Sequence, residues 1–234
     1  MQIFYAPGIS GDTYVLDEKE SRHCIRVLRM VKGTQVQLID GKGTLYEGII
    51  SKPDVKECKI ALNKVIPDFE KRHYRLHIAI SPLKNPERFE WFIEKSVEIG
   101  IDEITPIICK NTEKKGVKHE RIQNIIVSAM KQSLKASLTL LNEVRSLEDF
   151  IHMDFQCKKV IAHCNPEIER KEIGKVYLKG EDVVMLIGPE GDFTKDELQS
   201  ACSAGYKSVH LGSSRLRTET AGIVACHSIY FLNR

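Results

Sequence analysis

Two glycine-bearing segments in the C-terminal part of the chain carry residue types and a spacing that could do chemistry. The first, Gly188-Pro189-Glu190-Gly191-Asp192-Phe193, follows the apolar run 183–187 directly and leads into Thr194-Lys195-Asp196-Glu197. Glycine lets the backbone turn sharply and approach a ligand with no Cβ in the way. Thr194 with Glu197 three positions on reads as a capping box that opens a helix. The second segment, Gly212-Ser213-Ser214-Arg215-Leu216-Arg217-Thr218-Glu219-Thr220-Ala221, follows Ser208-Val209-His210-Leu211 and runs into another helical pattern. Ligands of open α/β sheets sit at the carboxyl ends of strands, and the free amides of a helix's first turn offer donors to a polar group. Either loop alone reads equally as an ordinary strand-to-helix turn; together they could line one pocket. Phosphate-loop chemistry is excluded by spacing, because there is no GxxxxGKS or GxxxxGKT and no GxGxxG after the first α/β strand. A GxSxG nucleophile elbow is also missing.

These loops need a scaffold, and the pattern supplies one. Val183-Val184-Met185-Leu186-Ile187 is apolar throughout, as a parallel strand buried on both faces should be. Further strands are expected over 75–81, 103–109, 159–163 and 207–211. Helices are expected from Asn85 to Gly100, over 119–135, over 194–204 and over 218–232. Asn85 can cap the first of these with Pro86 at its first position. Phe89, Phe92, Ile93 and Val97 then share one face, and Trp91, between core-facing positions, reads as packing. The alternation predicts a mostly parallel α/β sheet with helices on both faces. The first 70 or so residues read differently. Short runs over 13–16, 35–39, 45–50 and 58–62 are broken by turn signals, Asp40-Gly41 among them, and predict a small all-β barrel with one helical interruption over 19–29. The division expected is a barrel domain 1–66, a polar linker 67–73 and an α/β domain 74–234.

With 234 residues and 42% hydrophobic content, the chain can build such cores, and disorder is not expected. A net charge of +3 does not by itself define a nucleic-acid binder; clustering matters more. One cluster exists: Arg22, His23, Arg26, Arg29 and Lys32, with no acid between Ser21 and Thr34. The arginines 22, 26 and 29 are expected on one helical face, which either tracks phosphates or is simply solvated. A second basic stretch, 110–121, reads as a mobile loop. The seven cysteines include no CxxC pair, so neither a disulfide framework nor a zinc site is expected, and each reads as a small buried hydrophobe. No metal is expected. The start MQIFYAPGIS lacks the pattern of a signal peptide, and no run approaches the length of a membrane span. The expectation is a soluble cytoplasmic protein.

The blocks IGPEGDFTKDE and LGSSRLRTETA, 24 positions apart, resemble the C-terminal signature of the RsmE methyltransferases of the SPOUT superfamily. The resemblance continues upstream through Lys84-Asn85-Pro86-Glu87-Arg88-Phe89-Glu90-Trp91 and Ile104-Thr105-Pro106. It reaches the first domain in His23-Cys24-Ile25-Arg26-Val27-Leu28-Arg29-Met30. It implies a SPOUT-type parallel-sheet domain with a trefoil knot, preceded by a PUA-like β-barrel. It also implies a homodimer, S-adenosylmethionine as cofactor, and methylation of N3 of a uridine in 16S ribosomal RNA of the small subunit. Two departures stand out. The middle helix carries Lys131 and Lys135 around a retained Gln132, where the family shows an acidic residue and an Arg. Asp192 stands where a second glycine is usual.

By that resemblance the adenosine is assigned to Leu186, Gly188, Leu211 and Leu216, with Gly191 allowing close approach. Pro189, Glu190, Gly212, Thr218, Thr220 and Ala221 complete the cofactor set. His163 either closes the pocket from a third loop or is a surface histidine. Arg215 or Arg217 would stabilise the uridine anion. Glu190 and Glu219 are the candidate bases, Glu219 being favoured in ionised form by its helix start or merely holding the loop. RNA docking falls to Arg22, His23, Arg26, Arg29 and Lys32, with Lys84 and Arg88. Other readings are a different SPOUT methyltransferase, acting on a tRNA or a ribose hydroxyl, and a non-catalytic RNA-binding protein.

Overall fold

The computed structural model describes residues 2–234, and the chain divides into two compact units. The first comprises the residues up to Lys71 together with Met130–Leu138. Its strands are β1 (Ile3–Tyr5), β2 (Thr13–Val15), β3 (Gln35–Ile39), β4 (Leu45–Lys52) and β5 (Lys59–Ile66). They form one sheet in the order β1-β3-β4-β5-β2, with β1 parallel to β3 and the other pairs antiparallel. The β3–β4 turn is closed by Asp40, whose Oδ1 accepts from the Lys42 and Thr44 amides at 2.7 and 3.0 Å. The core gathers Phe4, Leu16, Cys24, Val36, Leu38, Ile50 and Ile60. Among the described residues no ladder joins β1 to β2, so strand pairing alone does not close the expected barrel.

The helical interruption starts as α1 (Glu18–Arg22), capped by Asp17, which accepts from the Glu20 amide at 2.7 Å. It continues as a π-helical turn, His23–Val27. Buried Ser21 anchors it, donating to the Leu16 carbonyl and accepting from the Cys58 amide at 2.9 Å. This corrects the single basic face expected for Arg22, Arg26 and Arg29. The wider π turn changes the period, and Arg29 lies beyond it at φ 53°. Arg22 is also paired with Glu18 at 2.7 Å. Lys131, the departure in the middle helix, has a partner in the same unit: its Nζ lies 2.5 Å from Glu20 Oε1. Segment 130–138 is further tied by Gly43 N–H to the Ala136 carbonyl and Leu138 N–H to the Gly41 carbonyl.

The second unit comprises Arg72–Ala129 and Thr139–Arg234. Its strands are β6 (Leu76–Ile80), β7 (Glu103–Ile108), β8 (Leu140–Leu141), β9 (Arg145–Ser146), β10 (Lys158–Ala162), β11 (Lys171–Glu172), β12 (Val183–Ile187) and β13 (Lys207–His210). The sheet runs β11-β13-β10-β12-β6-β7-β8, with β9 also on β7, and every pair is parallel. The helices are α2 (Pro86–Ile99), α3 (His119–Gln132, whose residues from Met130 on count with the first unit), α4 (Leu147–Ile151), α5 (Lys195–Ser203) and α6 (Thr218–Leu232). Side chains of a strand alternate between faces. Ala79, Val184 and Leu186 therefore share one core with Leu147 and Phe150 of α4 and Leu198 and Ala201 of α5. Ile80 faces the other way, toward Gly222 of α6, where Phe92 of α2 also packs.

Several expectations are corrected here. The middle helix ends at Gln132, not near 135, and β1, β8, β9, α4 and β11 are additional elements. Trp91 is 46% exposed, because Phe89, Phe92 and Ile93 take the inward positions of α2. Cys164 and Cys202 are exposed, since both lie outside the packed elements' inward faces. The 110–121 stretch is a loop up to His119, where α3 begins, and carries two ion pairs, Lys84 with Glu113 at 3.0 Å and Arg121 with Glu90 at 2.6 Å. No described helix is long and apolar enough to cross a membrane.

His77 is buried in the second core, its Nε2 2.8 Å from Thr105 Oγ1. Asn142 donates to that same hydroxyl, leaving the Thr105 proton for a neutral imidazole. Burial pushes the His77 pKa down to about 4, although Glu103 lies 3.8 Å away. In the unfolded chain the group titrates near 6.5. The unfolded state therefore binds a proton that the folded state refuses, and stability falls as pH drops from 6.5 toward 4. His77→Gln should flatten that part of a urea-denaturation pH series, where His77 contributes at most about 1.4 kcal/mol per pH unit; an unchanged slope contradicts the assignment. The α2–α6 contact is testable as well. A Cβ on Gly222 would lie 2.5 Å from the Phe92 ring, so Gly222→Ala should lower stability by about 1–3 kcal/mol in denaturant titration, and an unchanged midpoint argues against the packing.

Candidate active site

The carboxyl ends of β10, β12 and β13, at Ala162, Ile187 and His210, open onto one cavity of about 1390 Å³. Its walls are the loops that follow those strands, and Arg88 of α2 reaches it from the side. The loop after β12 is shaped by close contacts. A Cβ on Gly188 would stand 3.0 Å from the Phe193 ring, and that ring is buried in the core shared with α4 and α5. Asn111 Nδ2 donates to the Gly191 and Asp192 carbonyls at 3.2 and 3.0 Å. The capping box of α5 is formed, and Glu197 also accepts from the Lys110 amide at 2.7 Å. Two upstream segments thus brace this loop from behind.

The loop after β13 delivers α6. Arg217 is its N-cap with no side-chain cap bond, which leaves first-turn amides available to a ligand. Thr218 and Glu219 follow, both buried, Glu219 being 5% exposed. The nearest cation to this carboxylate is Arg88, with Nε 3.8 Å from Oε1. Arg215 and Arg217 are exposed at the rim. The loop after β10 brings in His163, 5% exposed, and neither ring nitrogen has a hydrogen-bond partner. Burial pushes its pKa below the usual value and Arg170 adds to that, while Asp192 opposes it. The ring is therefore neutral at pH 7, with one donor and one acceptor unmet.

Of the expected cofactor residues, His163, Gly188, Pro189, Glu190, Leu211, Gly212, Leu216, Thr218 and Ala221 line the cavity. Leu186 is buried in the core on the α4–α5 face, and Gly191 stands against Asn111. Thr220 is not among the lining residues. Arg215, Arg217, Glu190 and Glu219 all line it, and Arg88, expected to dock RNA, joins them. Lys84 contributes its amide to Glu190 Oε1 at 3.3 Å. Arg22, His23, Arg26, Arg29 and Lys32 belong to the first unit. Sequence reasoning missed Asp192, Arg170, Lys195 and Asn111. Arg170 donates to the His163 carbonyl at 2.8 Å, and Asp192 binds the Cys164 amide at 2.7 Å. Only Asp192 left a signal, a non-glycine residue inside a glycine-rich turn. Chemically, the cavity combines unmet polar atoms, a buried carboxylate and a rim of guanidinium groups. It can hold a polar ligand and stabilise an anion developing beside it.

Family comparison agrees with this geometry. Residues 70–230 match the RNA methyltransferase domain, and residues 16–62 match the RNA methyltransferase PUA domain. The chain belongs to the RNA methyltransferase domain family and is an enzyme of that class. It is 25% identical over 232 residues to the ribosomal RNA small subunit methyltransferase E of Bacillus subtilis, covering 94% of this chain and 90% of the relative. A match to the protein of that name from Rickettsia conorii spans 64% of the relative, at 28% identity. Among solved structures, a probable rRNA-methyltransferase from Porphyromonas gingivalis superposes with TM-score 0.93 and 40% identity, over 100% of this chain and 98% of that one. The ribosomal RNA small subunit methyltransferase E of Neisseria gonorrhoeae, solved bound to S-adenosylmethionine, gives TM-score 0.89 and 26% identity over 99% and 98%.

An unpartnered buried polar group costs stability that a ligand can restore. His163→Leu should therefore raise the stability of the ligand-free protein by about 1 kcal/mol in denaturant titration at pH 7.5. A clear loss would instead give the imidazole a structural partner.

Proposed function

We propose that this chain methylates N3 of a uridine in the 16S ribosomal RNA of the small subunit, with S-adenosylmethionine as donor. The observation that carries the reading is the buried, unpartnered His163 in a cavity framed by three strand-end loops, with Glu219 and four arginines, Arg88, Arg170, Arg215 and Arg217, in the same lining. The residues suit the cofactor. Gly188 lets the loop close against the Phe193 ring, which sets the cavity wall, and Leu211 and Leu216 give apolar walls for an adenine. The donors and acceptors come from His163, Thr218 and the backbone of Pro189, Glu190 and Gly212. Leu186, Gly191, Thr220 and Ala221 shape the same loops and the α6 start. When bound, S-adenosylmethionine supplies an electrophilic methyl group.

The protein's part is to position the uridine and to make its N3 anion less costly. Arg217 and Arg215 at the rim supply positive charge where that anion develops. Glu219, held near Arg88, is the group we assign to the proton, with Glu190 as the alternative carboxylate. Docking is assigned to Arg26, Arg29, His23 and Lys32 of the first unit and to Lys84. Arg22 contributes less because Glu18 engages it. The reading extends to a trefoil knot built from the loops after β12 and β13, a homodimer with RNA contacted by both copies, a cytoplasmic location, and the division 1–66, 67–73 and 74–234, with segment 130–138 belonging to the first compact unit. Supporting it are the family match, the small-subunit methyltransferase relatives and the cofactor-bound Neisseria structure.

Incubation with labelled S-adenosylmethionine and unmodified small subunits, followed by nucleoside analysis, should give labelled 3-methyluridine. Arg217→Ala should reduce the rate by roughly 10²–10³-fold; label in another nucleoside overturns the substrate, and an unimpaired variant overturns the role. Phosphate contacts each contribute roughly 0.7–0.9 to the salt slope of binding. The double variant Arg26→Ala, Arg29→Ala should therefore flatten the slope by about 1.5 without altering cofactor binding. An unchanged slope moves docking away from this segment.

A further inference from the structure

We propose that Asp192 is a positioning residue of the cofactor pocket, its carboxylate latching the loop after β10 to the loop after β12. The proposal rests on the methyltransferase reading of the cavity. Asp192 Oδ2 accepts from the Cys164 amide at 2.7 Å, across 28 positions of sequence. Oδ1 accepts from the Phe193 amide at 2.8 Å. The residue holds this arrangement at φ 60°, the one described non-glycine residue in the left-handed region among the loops after β10, β12 and β13. That conformation costs a side-chain-bearing residue energy, and aspartate tolerates it best when its own carboxylate bonds locally. The Asp192 carbonyl meanwhile accepts from Asn111 at 3.0 Å. One residue therefore fixes three segments at the wall of the cavity.

The consequence falls on the pocket and little on the fold. Cys164 is exposed, so its amide can turn to water once the carboxylate is gone. His163 adjoins it, lines the cavity and loses one of its two neighbouring tethers, the other being Arg170 on its carbonyl. Asp192 is also the negative group that opposes the downward push of burial on His163. The latch thus sets where the unmet imidazole stands when the cofactor arrives.

The test compares wild type with Asp192→Ala, Asp192→Gly and Asp192→Asn by calorimetric binding of S-adenosylmethionine, methylation kinetics and thermal unfolding. Glycine adopts φ 60° without cost and so separates the carboxylate from the backbone. Alanine and glycine variants should both bind the cofactor at least about tenfold more weakly. Their KM for it should rise likewise, with kcat at saturation within about threefold of wild type. Asparagine keeps one acceptor and the left-handed backbone, and should fall between. Wild-type affinity in the glycine variant overturns the latch, as does a joint fall of kcat, affinity and melting temperature in all three variants. A wild-type protein that takes up no S-adenosylmethionine overturns the methyltransferase reading itself and the latch with it, whereas binding that ignores position 192 overturns the latch alone.

Discussion

The contact between α6 and α2 at Gly222 and Phe92 sets the geometry on which the candidate site depends. A side chain at 222 would meet the Phe92 ring at 2.5 Å, so the two helices lie as close as a glycine permits. Helical neighbours sit three and four residues apart. One turn before Gly222 is Glu219, and one turn before Phe92 is Arg88. Bringing the first pair together therefore brings the second pair together at the helix starts, where Glu219 and Arg88 meet at 3.8 Å over the cavity. Packing in the core thus places charge at the rim, and Ile80 of β6, also against Gly222, carries the same constraint into the sheet.

The sheet supplies the other half. Parallel strands all present carboxyl ends at one edge, so β10, β12 and β13 deliver three loops to the same side. Each loop then uses a different device. The one after β12 relies on glycine against Phe193 and on Asn111 behind it; the one after β13 becomes the uncapped start of α6; the one after β10 buries a neutral histidine with no partner. Leaving such a group unsatisfied in the free protein is costly, and a ligand that engages it recovers that cost on binding.

Much of the scaffold was legible. The apolar run 183–187 forms the central strand β12, the capping box at Thr194 is made, and the last helix spans Thr218–Leu232 as its pattern indicated. Phe89, Phe92, Ile93 and Val97 are all buried, as their helical spacing required. The illegible parts have physical causes. Strands of two or three residues, such as β1, β8 and β11, are too short to show a period. The π turn at His23–Val27 breaks the spacing by which Arg29 was grouped with Arg22 and Arg26. Trp91 turns outward because phenylalanine and isoleucine neighbours already fill the inward face. Asp192 bonds Cys164, and Asn111 reaches the Gly191 carbonyl, across 28 and 80 positions that no local pattern records.

The most direct test of the central claim is a crystal structure of this protein grown with S-adenosylmethionine. The ligand should lie at the carboxyl ends of β10, β12 and β13, with an imidazole nitrogen of His163 within hydrogen-bond distance of it. A ligand bound elsewhere, or one in that cavity with both His163 nitrogens still unpartnered, would contradict that claim.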